Sequence, residues 1–404
     1  MMEALSFVVV LHGCYIFSMR KVYLDHTATT PLDPRVFEAM KPYFLEKYGN
    51  ASSIHSFGQE ARAALDESRD GVAKILGASG GKLLFVSSGT EADNLALKGV
   101  AWNLPASKKH IVTSKAEHHA VLETCRSLMQ QGYEISFLDV DGTGRVDPDE
   151  LRRAITPRTG LVSIMHANNE VGTINPVEEL ATIARDHEVI FHTDAVQSYC
   201  KLPLDVSTTP IDIISISAHK IYGPKGIGAL YLREGVKLER MLHGGGQERG
   251  RRAGTENVPL AVGFAKAAAL LIQDRDVESA RLQGLKIRLR QLLEERFPSI
   301  LFNGDKNKSL PHILNISFNS RKISIDGEAL LFNLDLAGIA VTSGSACTSG
   351  SIEASHVLLA MGRDEKTARA TIRFSLGAST REEDIPYIVE VLETVVKKIG
   401  SKPG

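Results

Sequence analysis

Net charge is what this chain most lacks: 47 Lys and Arg against 48 Asp and Glu leave a formal charge of −1 over 404 residues. With charged side chains spread along the sequence, no nucleic-acid surface and no acidic membrane is indicated as the main partner, and a small molecule or a protein fits better. Cysteine is also scarce. Cys14, Cys125, Cys200 and Cys347 lie far apart with no C-x-x-C pair, which argues against a zinc ribbon and a disulfide framework and fits a reducing, cytoplasmic setting. Long apolar runs are nearly absent. The one near the start, LSFVVVLHGCYIF, follows Glu3 rather than a basic residue, and no small-residue cleavage site comes before Arg20, so it does not read as a secretory signal. Met19 stands just before RKVYLDHTATTP, where the globular pattern begins, and residues 1–18 read as the product of an upstream start rather than an anchor. No other stretch reaches the roughly 20 apolar residues that a membrane span needs.

A chain of this length calls for more than one core, and two units are expected. From about Leu83 to Leu232, short apolar runs alternate with helical patterns, as in doubly wound α/β folds. KLLFVSS, HIVTS, EISFLDV, GLVSIMH, EVIFHTD, DIISIS and IGALYLR read as strands of a mostly parallel seven-stranded sheet. TEADNLALKGVAWNL, HHAVLETCRSLMQQG and PVEELATIARDHE carry apolar residues at helical spacing and read as its flanking helices. The large domain is placed at 33–262, with 20–32 and 263–404 forming a smaller α+β domain and 1–19 an N-terminal extension. The small unit is expected to hold a long helix near Pro259 to Arg296, a strand at His312 to Phe318 and a last helix near Glu382 to Ile399, with a ligand cleft between the two units.

The residues at the strand ends point to one chemistry. Lys220 in ISAHKIYGPKG follows one strand and Asp194 in HTDAVQS ends another. Pyridoxal phosphate needs this pair, an amine to hold its aldehyde as a Schiff base and a carboxylate to keep its pyridine nitrogen protonated. Ser217 and His219 flank the lysine with donors suited to a phosphate. In FVSSGTEADN the chain passes from strand to helix through Gly89 and Thr90, where backbone N–H groups can meet an anion, although Thr90 also suits an ordinary helix cap. A Walker loop is excluded nearby, because Leu76 stands where its first Gly belongs and Leu83 follows Lys82. His118 opens a helix, where it can stack on a planar cofactor and move protons, or simply cap. With no Glu at metalloprotease spacing, no metal site is expected. Asn168, Asn169 and Gln197 offer amides to a phenolic oxygen or a carboxylate, though turns use Asn as readily. Arg373, inside an apolar strand, needs an anion, which is either a substrate carboxylate or an internal Asp or Glu. Among the cysteines, Cys347 in SGSACTSGS is set in small polar residues where a thiolate can act as a nucleophile, whereas Cys125 and Cys200 read as packing residues.

These motifs, with GNASSIHSFG, TSKAEHHAVLETC, SIMHANNEVG, HGGGQERGRRAGTENVP and IRFSLG in the same order, resemble the NifS/IscS-type cysteine desulfurases, fold-type I pyridoxal phosphate transferases of the class V aminotransferase family. The resemblance covers nearly everything after Arg20. It implies Lys220 as the Schiff-base lysine, Asp194 on the pyridinium, Gln197 on the phenolic oxygen and His118 as the stacking acid/base group. Gly89, Thr90, Ser217 and His219 would hold the phosphate, with Thr255 reaching it from the partner of a homodimer. Asn169 and Arg373 would receive the substrate carboxylate or orient the cofactor. Cys347 would take sulfur from L-cysteine as a persulfide, leaving L-alanine, and pass it to an iron–sulfur scaffold protein of the IscU/NifU kind. The long SGSACTSGS form resembles the group with an extended cysteine loop. His26 stands where Asn or Tyr is usual and Ala253 where Ser is usual, and the short tail after the last helix fits the NifS-like form. Two other readings compete: a selenocysteine lyase, which needs less of Cys347, and a sulfur-relay or cluster scaffold without turnover.

Overall fold

The computed structural model describes residues 20–344 and 353–401, with the backbone alone at 10–11 and 14–15, so the expected extension at 1–19 otherwise lies outside the described residues. Seven strands form the main sheet: β1 (Leu83–Val86), β2 (His110–Ser114), β3 (Glu134–Leu138), β4 (Thr159–Ser163), β5 (Ile190–Asp194), β6 (Ile213–Ser217) and β7 (Gly228–Leu232). Their spatial order is β1-β7-β6-β5-β4-β2-β3. Pairings from β6 through to β3 are parallel, while β7 runs antiparallel to both β6 and β1.

The strands are apolar on both faces because each face has its own core. Leu83, Phe85, Ile214, Ile216, Ala229 and Tyr231 enter one cluster, and their neighbours Leu84, Val86, Ile213, Leu230 and Leu232 enter the other. That alternation is the period of two of a strand. Helices α1 (Pro34–Leu45) and α2 (Ser56–Ile75) contribute to the first cluster, while α3 (Gly89–Ala101) and α4 (His119–Met129) contribute to the second. α5 (Val177–Asp186) matches the third helix expected from the pattern. α1 and α2 were not legible as helices. α2 buries mostly small residues, among them Ala61, Ala64, Ser68 and Ala73, so its apolar stripe is faint in the sequence.

Beyond the sheet, α6 (Val258–Arg296) is a single helix of 39 residues. Its first part, with Ala261, Phe264 and Ala268, packs into the core of the large sheet; Leu282, Leu285, Leu289 and Leu293 pack into a separate core. That second core covers an antiparallel sheet of β8 (Ile300–Asn303), β9 (Ile313–Phe318) and β10 (Thr371–Ser375), and α7 (Asp384–Ile399) lies on it. The N-terminal segment joins this unit: Val22–Tyr23 pairs with Ile339–Ala340, and Asp25 bridges to Ser375. Residues 25–30 therefore run along the seam between the two cores.

Candidate active site

The carboxyl ends of the parallel strands carry the polar groups, as is usual in open α/β sheets. Asp194 closes β5, Ser217 closes β6, and Lys220 ends the single 3₁₀ turn that follows, Ala218–Lys220. His118 caps α4 after β2, and Asn169 lies in the turn after β4. With residues 27–28 on the far side, these ends enclose a cleft of about 540 Å³. Gly89, Thr90, His118, Asn169, Asp194, Gln197, Ser217, His219, Lys220 and Arg373 all line it. Thr255 does not line the cleft; it is exposed in the loop before α6. Cys347 lies outside the described residues, whose nearer end on that side, Gly344, does line the cleft.

Lys220 Nζ donates to the carbonyl oxygens of Thr27 at 2.6 Å and Ala28 at 2.7 Å. Burial, with Arg373 next, pulls this amine down to about 8, against the opposite pull of Asp194 and Asp25. Asp194 accepts the Val196 N–H on Oδ1 at 2.8 Å, and burial pushes its carboxyl up to about 6. A cation placed beside it would restore the carboxylate. His118 Nδ1 accepts the Ala120 N–H at 3.1 Å, so the neutral ring carries its proton on Nε2. Burial first, then Lys220, His119 and His356, keep that ring neutral by lowering it to about 4.

The start of α3 is brought close to the end of β5 and to β7 by missing side chains. A Cβ on Gly89 would lie 2.8 Å from Val196 Cγ2, and one on Gly228 would lie 2.6 Å from the Ser88 carbonyl carbon. The cap of α3 is Ser88, whose Oγ accepts the Glu91 N–H at 3.1 Å, and not Thr90. Thr90 is thereby left to the cleft, and the first helical N–H groups have no partner inside the helix. His219 Nδ1 lies 3.2 Å from Thr29 Oγ1, and burial lowers its ring to about 4.

Arg373 meets both an internal acid and the open cleft. Its Nη2 donates to Asp25 Oδ1 at 2.8 Å and its Nη1 to the Asn169 carbonyl at 3.0 Å, while Nε has no partner. Asn168 serves the turn instead: Oδ1 accepts the N–H groups of Glu170 and Val171, and Nδ2 donates to the Ala116 carbonyl at 2.9 Å. Gln197 Nε2 donates to the Thr27 carbonyl at 3.1 Å and its buried Oε1 is unpartnered, so this amide has an open polar end.

Sequence reasoning missed Asp93 and Asp25. Asp93 lies one helical turn after Thr90, a spacing that puts both on one face, and it lines the cleft. It is buried with Oδ1 unpartnered and stands 3.7 Å from His192 Nε2. Burial, with Asp194 nearby, holds its carboxyl well above the usual range.

An amine, a buried carboxylate, a planar neutral imidazole, an open amide and a free helix start meet in one cavity. That donor set fits pyridoxal phosphate, with Gly89 giving the close approach and Gln197 an unpaired polar atom.

The comparisons with known proteins agree. The family model for class-V aminotransferases matches residues 22–388. The chain is 49% identical over 380 residues to cysteine desulfurase IscS of Dictyoglomus turgidum, covering 94% of this chain and 95% of that protein. A solved NifS-like protein superposes with a TM-score of 0.87 at 38% identity, over 94% of this chain and all of that one. SspA, solved in complex with cysteine, superposes with a TM-score of 0.76 at 36% identity, over 88% of this chain and 99% of that one.

Proposed function

The chain belongs to the class-V aminotransferase family and is a cysteine desulfurase, and from that premise we propose that its cleft uses pyridoxal phosphate to convert L-cysteine to L-alanine, with the sulfur moving to Cys347 as a persulfide. The observation that carries this reading is the meeting of Lys220, Asp194, His118 and the start of α3 in one cleft. When bound, pyridoxal phosphate supplies an aldehyde that joins amines and a ring that takes up the electrons left when an α-proton departs.

The chain's own residues do the rest. Gly89 and Thr90 N–H groups, the Ser217 hydroxyl and His219 would hold the phosphate at the positive end of α3. Asp194 would accept a hydrogen bond from the protonated ring nitrogen, Gln197 would address the phenolic oxygen and His118 would stack on the ring. Arg373, supported by Asn169, takes the substrate carboxylate. Lys220 Nζ, pulled down to about 8, is partly neutral near pH 7 and receives the α-proton. The Cys347 thiolate attacks the substrate sulfur; the C–S bond breaks with its electrons left on carbon, which takes a proton, and a S–S bond forms on Cys347. Sulfur so carried would pass to an iron–sulfur scaffold protein of the IscU/NifU kind.

Thr255, exposed in one chain, is assigned to the phosphate of a second copy in a homodimer. Exposed apolar side chains at Phe44, Leu45, Tyr48, Ile54 and Phe57 support such an interface. The division into a large unit, 33–262, and a small one, 20–32 with 263–404, belongs to the same proposal and is supported by the two separate cores, with α6 running through both. Action in the cytoplasm accords with Cys125 and Cys200 being free thiols. Among the described residues, no helix is long and apolar enough to cross a membrane.

The test is to follow alanine and sulfide from L-cysteine with wild-type and Cys347→Ala protein under reductant, together with the cofactor spectrum. Equal alanine and sulfide from the wild type, and cofactor binding without turnover in the variant, are expected. An unimpaired variant would remove Cys347 from the mechanism and favour a selenocysteine lyase.

A further inference from the structure

Sharing only Lys220 with the cofactor cleft is a second, smaller chamber of about 40 Å³, lined by His26, Lys201, Lys220 and His312 with Leu271 and Leu376 among its apolar walls. The established chemistry uses none of these residues except Lys220. His26 and His312 are 2% and 4% exposed, and in each one ring nitrogen, Nδ1 of His26 and Nε2 of His312, is buried without a hydrogen-bond partner. Lys201 is half-buried as a residue, yet its ammonium is enclosed, and burial with Lys220 nearby lowers it to about 7. Among the described residues no carboxylate pairs with it. Glu278 also lines the chamber, but both its oxygens are taken by Arg281 at 2.7 Å. Of the hydroxyls there, Thr30 Oγ1 donates to the His219 carbonyl and Tyr222 Oη accepts the Ala378 N–H, while Ser279 adds a hydroxyl that can donate.

The polar lining thus encloses an ammonium that has no opposite charge of its own, with the Arg275 guanidinium as a second cation in the wall, and a buried cation calls for a counter-charge. An ammonium has three donors and no acceptor, and a neutral imidazole donates from the nitrogen that carries its proton and accepts at the other. Water can find an acceptor on an imidazole nitrogen, but it leaves the enclosed charge uncompensated. An anion supplies the missing charge and accepts from the same donors. The space exceeds the 10–15 Å³ or so that one water centre occupies, and the apolar walls disfavour an ion that keeps a hydration shell. We propose that this chamber binds one small, weakly hydrated, singly charged anion, of the class of chloride, bromide or hydrosulfide, between Lys201 and His312 with His26 beside it. Such an ion stands next to Lys220 and shields the catalytic amine from the Lys201 ammonium.

Crystals of the holoenzyme soaked in sodium bromide, with data collected at the bromine absorption edge, test this directly. An anomalous peak is expected inside the chamber, and Lys201→Met should weaken bromide binding by about tenfold, the effect of losing one charged donor. His312→Asn gives an independent variant should the first fold poorly, and it too should lower the peak. Added chloride or hydrosulfide should displace bromide, and whichever acts at lower concentration identifies the natural source of the ion. A chamber that stays empty while surface sites fill, an equal peak in both variants, or no displacement by either anion would overturn the proposal.

Discussion

Arg69 and Arg373 are equally buried, each 4% exposed, and each faces a carboxylate, yet only one of the two pairs is closed. Arg69 grips Glu248 with two nitrogens, one contact at 2.9 Å, and also donates to the Leu83 carbonyl at 3.0 Å. Glu248 takes the Phe85 N–H as well, at 3.0 Å. Arg373 gives Asp25 a single N–H and faces the cleft; Nε is unpartnered in both arginines, so the difference lies in the single contact and the open side. The closed pair ties the loop before α6 to β1, and it does so through a turn in which Glu248 and Arg249 both have positive φ, 43° and 57°. Non-glycine residues held there cost about 1–3 kcal/mol each, so the bidentate contact is what holds the turn in place. The open pair fixes the guanidinium without using up its donors, which an incoming carboxylate requires. Framework residues should therefore change melting, and cleft residues should change kinetics.

Lys220→Ala should give the largest effect. Alanine formation is expected to fall by about 10⁴-fold or more, while the melting temperature moves little, because the side chain's two hydrogen bonds go to carbonyls at the cleft edge. A variant that melts early and keeps turnover would erase the distinction between framework and cleft. Next is the closed pair. Arg69→Met leaves Glu248 buried and unpaired, and a loss of about 3–5 kcal/mol is expected in denaturant unfolding, with KM for cysteine unchanged in the folded fraction. Arg69→Met with Glu248→Leu should recover much of that loss; no recovery would mean that the pair acts through something other than its charges.

Arg373→Lys keeps the charge and loses the fork. An increase in KM of about 10²-fold, equal to about 2.7 kcal/mol, is expected with little change in melting. A change confined to kcat would show that Arg373 orients the cofactor instead of receiving substrate.

The two arginines also show what could be read from sequence. Arg373 had to find an anion, since a charge inside TIRFS cannot be buried alone, but Asp25 lies 348 residues away and no local pattern announces it. Lys220 and Asp194 were legible because they end apolar strands, and strand ends are where α/β sheets place ligands. Arg69 sits on α2, where small residues blur the helical period, so neither the helix nor its ion pair could be anticipated. Ser88 and Thr90 both have cap chemistry, and only the backbone turn decides that Ser88 caps.

Asp93 sharpens the comparison through pH. Burial, with Asp194, raises its carboxyl well above the usual 3.8, while Ser215 pulls it down, and Glu117 and the neutral His192 also face it. The folded state therefore holds a proton that the unfolded chain releases near 3.8, and stability falls as pH rises from there toward the raised value. Asn has no such proton. Asp93→Asn should match wild type near pH 4 and exceed it by about 2 kcal/mol near pH 8, within the limit of about 1.4 kcal/mol per pH unit. A constant difference across that range would mean that Asp93 is ionised in the fold.

Ser88 belongs to both halves of the comparison, since it caps α3 and lines the cleft. Ser88→Ala removes the acceptor for the Glu91 N–H, and a loss of about 1 kcal/mol is expected, as for other caps. Glu91 softens the loss, because its Oε2 still accepts the Ser87 N–H at 2.7 Å and its Oε1 stays paired with Arg252 at 2.9 Å. Ser88→Asp separates the two roles. Asp caps as well as Ser, so melting of the cofactor-free protein should stay near wild type. Its charge, however, occupies the helix end that a phosphate needs, so release of pyridoxal phosphate on dilution should be faster than in either wild type or Ser88→Ala. If Ser88→Asp holds the cofactor as tightly as wild type, the start of α3 is a cap alone, and the phosphate must be held by Ser217 and His219 without it.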